Sequence, residues 1–272
     1  MDLALDYKIV KRVLVDFIRE EVTRVNMKSG VIGLSGGIDS AISAFLTAEA
    51  LGAENTYCIM MPYKTSNPES KLHAELVIDK LKCKSELVEI TPMVEPLFSM
   101  DKDITPLRKG NIMARQRMIV LYDRSSKYNA LVIGTSNKTE TLLGYSTVYG
   151  DNACAINPIG DLYKTQIWQL AEYLGVPEEV ISKAPSADLW SGQTDENELG
   201  FTYKDVDKLL FQLVDERRSE MELIDSGYDK NFIDRVKNLI QRSQYKRRTP
   251  LIAKLTYRTV NLDFRYSRDW GT

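Results

Sequence analysis

The chain has 272 residues, with 36 Lys and Arg against 38 Asp and Glu, a formal net charge of -2. Hydrophobic residues make up 43 % and charged residues 27 %, the composition of a folded globular protein with a sizeable core. That balance argues against a nucleic-acid binder, and no run of about 18 apolar residues is present to span a membrane.

The three cysteines, Cys58, Cys83 and Cys154, are widely spaced and form no C-x-x-C, so neither a zinc site nor a disulfide framework is indicated. A reducing cytoplasm is the expected compartment. His73 is the single histidine and is expected at a helix surface, which removes most histidine-based chemistry.

In chain order, residues 3–26 carry apolar positions at helical spacing and predict a long amphipathic helix. Val31 to Leu34 reads as a buried strand, followed by Ser35-Gly36-Gly37-Ile38-Asp39-Ser40 and a helix ending at Gly52. Thr56–Met61 is strand-like, Pro68–Lys82 helical, and Ser85–Ile90 strand-like up to Pro92. Pro106–Tyr128 is a long helix, and Ala130–Thr135 another apolar strand. This alternation predicts βαβ units, with a parallel sheet covered on both faces. Beyond about residue 160 the pattern is helical: 164–174, 178–183, 203–213 and 231–242, with a polar stretch over 186–200. The expectation is one α/β unit over 1–272, a nucleotide-binding core at about 27–185 and a helical portion at about 186–272.

The Ser35–Ser40 loop joins a buried strand to a helix N-terminus. Its two glycines permit close backbone approach, and free helical N–H groups favour an anion. The pattern is neither G-x-x-x-x-G-K-[ST] nor G-x-G-x-x-G. Asp39 beside a polyphosphate calls for a Mg²⁺ between them; the structural alternative is a turn in which Asp39 caps the helix.

Ser-Gly-Gly-Ile-Asp-Ser resembles the pyrophosphate loop of the N-type ATP pyrophosphatases, which adenylate a substrate by cleaving ATP between its α and β phosphates. Five further blocks resemble the NAD synthetases among them: Gly110–Met118, Gly134–Glu140, Gly144-Tyr145 through Tyr149-Gly150-Asp151, Asn157–Thr165, and Pro185-Ser186-Ala187-Asp188-Leu189. The likeness runs over most of 25–250 and implies a doubly wound, adenine-nucleotide α-hydrolase-like fold. The implied activity is that of an ammonia-dependent ligase converting deamido-NAD to NAD through an acyl-adenylate, with AMP and pyrophosphate released. By this resemblance ATP contacts fall on Gly33, Leu34, Ser35, Gly36, Gly37, Ile38, Asp39, Ser40, Thr135, Lys164 and Ser186. Mg²⁺ falls on Asp39 and Glu140, and deamido-NAD on Arg115, Tyr245 and Lys246. Asp39 and Lys164 are the implied catalytic residues.

Other readings stand beside these. Asn137 is placed to cap a helix, and Glu140 fits a first-turn acid complementing its dipole. Arg115 and Arg117 lie two apart on one helix, so only one points readily into a site; the family pattern favours Arg115. The run Arg242, Tyr245, Lys246, Arg247, Arg248 is a basic patch or a solvated helix end. Tyr245 stands where many relatives have histidine. Val148 and Ala155 replace a lysine and an aspartate of the long bacterial forms, whose contacts are therefore not carried over. Asp151 and Asp161 are the two candidates for the base that receives the ammonia proton. The length leaves no room for an amidase domain, so ammonia is the expected nitrogen source and a separate glutaminase an open alternative. A homodimer is implied by the family, with apolar helical faces such as 112–122 available to pair. The competing functions are another adenylating enzyme, such as a tRNA-modifying one, and a non-catalytic nucleotide-binding protein. The acidic balance and missing cysteine pair count against the first. The set Asp39, Glu140 and Lys164 counts against the second.

Overall fold

The computed structural model describes residues 3–186, 195–248, 250–260 and 263. Its elements are α1 (Tyr7–Arg24), β1 (Ser29–Gly33), α2 (Ile38–Leu51), β2 (Thr56–Met60), α3 (Pro68–Leu81), β3 (Lys84–Leu87), α4 (Thr91–Ser99), α5 (Pro106–Tyr128) and β4 (Ala130–Val132). There follow α6 (Lys138–Leu143), α7 (Lys164–Leu174), α8 (Glu178–Ile181), α9 (Asp195–Leu199), α10 (Tyr203–Leu210), α11 (Glu220–Asp225) and α12 (Lys230–Arg242).

The four strands are all parallel, in the order β3-β2-β1-β4. A parallel bridge from Ile133 to Ile156 continues the sheet beyond β4. Successive residues of β1 point to opposite faces, and both faces are packed. Ile32 joins a core built on α1, α2 and α7, while Val31 joins one built on α4 and α5. A third cluster holds the C-terminal helices together around Tyr203, Leu209, Leu223, Ile233 and Val236. The expected doubly wound sheet with a helical C-terminal portion is what forms.

The differences from the predicted elements have local causes. The first helix opens at Tyr7, not residue 3, because the Asp6 carboxylate accepts from Lys8 N and Ile9 N and caps it there. Pro92 does not mark the end of a strand: it sits in the first turn of α4, where a missing N–H costs nothing. α9 lies inside the polar stretch and α11 was not legible, both too short for a periodic signal. His73 is only partly exposed, its Nδ1 buried.

The strand order reverses direction between β1 and β4. Ligands of open α/β sheets bind outside the carboxyl ends of the strands at such a point. The Ser35–Ser40 loop leaves β1 there, and Gly134–Glu140 leaves β4 there.

Candidate active site

Gly36 has φ +76°, and a Cβ on it would lie 2.0 Å from Ser70 O at the start of α3. Only glycine lets the loop pass so close. The loop ties itself down through its serines: Ser40 Oγ donates to Gly37 O at 2.9 Å and accepts from Ser35 N at 3.2 Å. Gly37 is the N-cap of α2 and brings no side chain, so the first-turn N–H groups stay available to a ligand. Asp39 is therefore not the cap of this helix; its carboxylate does something else.

Opposite, Asn137 and Glu140 form a capping box on α6. Asn137 Oδ1 accepts from Glu140 N at 2.9 Å, and Glu140 Oε2 accepts from Asn137 N at 3.3 Å. The same Asn137 donates through Nδ2 to Asp39 Oδ1 at 2.9 Å. It thereby fixes one carboxylate while capping the helix that carries the other. Lys164, the first residue of α7, places Nζ 2.5 Å from Asp39 Oδ2 and 3.4 Å from Glu140 Oε1. Its side chain is 3 % exposed, those of Asp39 and Glu140 each 17 %.

The charges explain the ionisation. Burial works against the Lys164 ammonium, but Asp39 and Glu140 outweigh it and hold it above the ordinary lysine range. Burial pushes the Glu140 carboxyl up to about 8; Lys164 opposes this, and Asp39 adds to it. Two carboxylates thus share one ammonium.

These residues line one cavity of about 750 Å³. Gly33, Leu34, Ser35, Gly37, Ile38, Ser40, Thr135, Ser186, Tyr245 and Lys246 line it too. Gly36 sits behind the loop against α3. Lys246 is half-buried, donating to Gly144 O and Ser146 O, each at 2.7 Å. Arg247 donates to Thr141 O and Leu142 O at 3.0 and 2.9 Å. The basic segment is thus a latch on the carbonyl end of α6, where cations are favoured. Arg115 lies outside the cavity, exposed, with Nε donating to Val148 O at 3.2 Å. Arg117 is the one that lines it, donating to Met61 O at 3.0 Å. Asp151 lines the cavity. Asp161 is at the surface, 96 % exposed and paired with Lys138. Ala187, Asp188 and Leu189 lie outside the described residues.

Sequence reasoning missed a buried acid beside the lysine. Asp195, 4 % exposed, accepts from Tyr203 OH at 3.0 Å and lines the cavity with Oδ1 buried and unpartnered. Burial raises its carboxyl above the usual range. The flanking polar stretch, without periodicity, gave no signal of it.

The family model described as NAD synthase matches residues 10–250. The chain belongs to the NAD synthase family. Among curated relatives, the "NH(3)-dependent NAD(+) synthetase" of Trichlorobacter lovleyi is 56 % identical over 269 residues, 99 % of this chain and 98 % of the relative. The solved NH3-dependent NAD synthetase of Campylobacter jejuni superposes with TM-score 0.79 at 36 % identity, covering 92 % of this chain and 100 % of that one. The NMN synthetase of Francisella tularensis superposes with TM-score 0.81 at 33 % identity, covering 92 % and 99 %. Within this NAD synthase, the matched segment contains the whole arrangement of Asp39, Glu140 and Lys164. No helix among the described residues is long and apolar enough to cross a membrane.

Proposed function

We propose that this NAD synthase amidates deamido-NAD with ammonia at the expense of ATP. The observation that carries the reading is the meeting of Asp39, Glu140 and Lys164 at the switch point, beside an uncapped helix N-terminus. The deamido-NAD carboxylate is a poor acceptor for ammonia. Attack of one of its oxygens on the α-phosphorus of ATP forms an acyl-adenylate and breaks the bond to pyrophosphate. Ammonia then adds to the acyl carbon, AMP leaves with the bridging oxygen, and the nitrogen sheds a proton. No protein nucleophile is needed; the chain positions the reactants and stabilises charge.

The loop N–H groups and Lys164 face the departing pyrophosphate. Asp39 and Glu140 are hard oxygen donors, and a magnesium ion asks for one or two carboxylates plus phosphate oxygens. Such an ion would neutralise phosphate charge and favour the ionised form of Glu140. Thr135 and Ser186 are ATP contacts in this reading, and Tyr245 and Lys246 close over deamido-NAD. Of Asp151 and Asp161, Asp151 is the one that lines the cavity and receives the ammonia proton in this reading. In this reading Arg115, exposed beside the cavity, contacts deamido-NAD bound across the interface of the proposed homodimer.

The assay uses the protein with ATP, Mg²⁺, ammonium and either deamido-NAD or nicotinate mononucleotide, following NAD, NMN, AMP and pyrophosphate. NAD and AMP in equal amounts are expected. Turnover of the mononucleotide alone, the reading favoured by the likeness to an NMN synthetase, would replace the substrate assignment. Asp39→Ala is expected to lose at least about 100-fold in pyrophosphate release while remaining folded; a full-rate variant would remove Asp39 from the metal site.

A further inference from the structure

α7 begins with the wrong charge. Lys164 occupies its first position, where the positive end of the helix dipole disfavours a cation. The first turn holds no acid, and the N-cap residue, Tyr163, makes no side-chain cap. Something else must satisfy the first N–H groups and offset the charge.

Asp207 does so from a different helix. It lies on α10 and is fully buried. Asp207 Oδ2 accepts from Thr165 N, the second amide of α7, at 2.7 Å. Asp207 Oδ1 accepts from Thr139 Oγ1 at 2.6 Å. Thr139 Oγ1 in turn accepts from Lys164 N, the first amide, at 3.0 Å. Thr139 immediately precedes Glu140 on α6. One buried carboxylate and one hydroxyl therefore join the backbone of the lysine to the backbone of the glutamate it faces.

We infer that Asp207, through Thr139, is a positioning residue: it caps α7 in trans and sets the Lys164–Glu140 spacing on which the charge stabilisation depends. An acid on the buried face of α10 among Val206, Leu209 and Leu210 is costly unless its bonds are used, and both its oxygens are. Without this cap the first turn of α7 frays, and Lys164 Nζ loses its fixed place between the carboxylates. A misplacement of about 1 Å is enough to cost about 100-fold in rate. Neither Asp207 nor Thr139 needs to touch a reactant.

The inference rests on the NAD synthase reading for its rate assay. The experiment compares wild type with Asp207→Asn, Thr139→Val and Thr139→Ser. It measures kcat, KM for deamido-NAD, amide exchange at 164–168, and the rise in Tm on adding ATP with Mg²⁺. Asp207→Asn and Thr139→Val are expected to lower kcat 10- to 100-fold and speed exchange at 164–168, with KM for deamido-NAD within twofold. Thr139→Ser, which keeps the hydroxyl, is expected to stay within threefold of wild type. Should Asp207→Asn not fold, the valine–serine pair at 139 carries the test with Asp207 intact. A folded Thr139→Val with wild-type kcat and exchange would overturn the proposal, as would a Thr139→Ser as slow as the valine. A wild type that makes no NAD would sink the functional reading instead, and the exchange and nucleotide-induced Tm comparisons would still decide the positioning role.

Discussion

Lys164 is the residue on which structure and chemistry meet. In the free protein it keeps Asp39 and Glu140 from facing each other unpaired; in the proposed function it stabilises the charge of the departing phosphates. Replacing it by Met leaves two uncompensated carboxylates in a site with little access to water. Breaking a buried pair from one side typically costs about 3–5 kcal/mol, and the partial exposure of both acids lowers the expectation here to about 2 kcal/mol. Lys164→Met is expected to lose that much stability by urea unfolding and at least about 100-fold in kcat. A loss of stability without a loss of rate would make the lysine a structural pin. Asp39, Glu140 and Lys164 were legible in the sequence because each lies in a motif at a strand end or helix start. Asp195 and Asp207 were not. Both are buried acids on short helices, and their value lies in what other segments bring to them.

At the scale of elements the same division holds. The long helices α3 and α5 were readable because each opens on a capping side chain followed by proline, Asn67-Pro68 and Thr105-Pro106. The basic run at 242–248 was readable as charge but not as a latch, since its acceptors are backbone carbonyls about 100 residues away. One pairing of elements makes a pH prediction. β3 is an edge strand, and Glu86 on it accepts from Arg124 Nε and Nη2 of α5 at 2.8 and 2.7 Å and from Tyr128 OH at 2.8 Å. The guanidinium, helped by the phenol, holds the Glu86 carboxyl down from 4.5 to about 2. The folded state therefore prefers the ionised form. Its contribution is complete above pH 4.5 and is lost as pH falls through about 2. The side chains are 27 % and 21 % exposed, so a contribution of about 1–2 kcal/mol is expected after screening. Glu86→Gln is expected to lose it at pH 7 and to flatten the acid limb between pH 4.5 and 2. An unchanged acid limb in urea titrations at several pH values would count against the pairing.

For the whole molecule, the proposed function asks one cavity to serve two nucleotides. In the proposed function the ATP side is built within one chain, from the β1 loop, the end of β4 and the start of α7. Arg115 on α5 is exposed and does not line that cavity, its Nε donating to Val148 O. Ile119 and Tyr122 follow it at four and seven residues, on the same helical face, and they are 54 % and 42 % exposed. On neighbouring α4, Leu97 is 47 % exposed, and Met100 just beyond it 79 %. Exposed apolar side chains on two neighbouring helices invite a partner, and the partner the proposed function calls for is a second copy, with Arg115 completing the dinucleotide site. Ile119→Asp puts a charge in the middle of that face without touching the cavity. The wild type is expected to run as the proposed dimer in sedimentation or light scattering, and Ile119→Asp as a monomer. KM for deamido-NAD is expected to rise at least about tenfold, with the ATP-induced gain in Tm preserved. Arg115→Ala is expected to raise KM comparably without dissociating the dimer. A monomeric Ile119→Asp with unchanged KM would place the whole dinucleotide site within one chain and remove Arg115 from it.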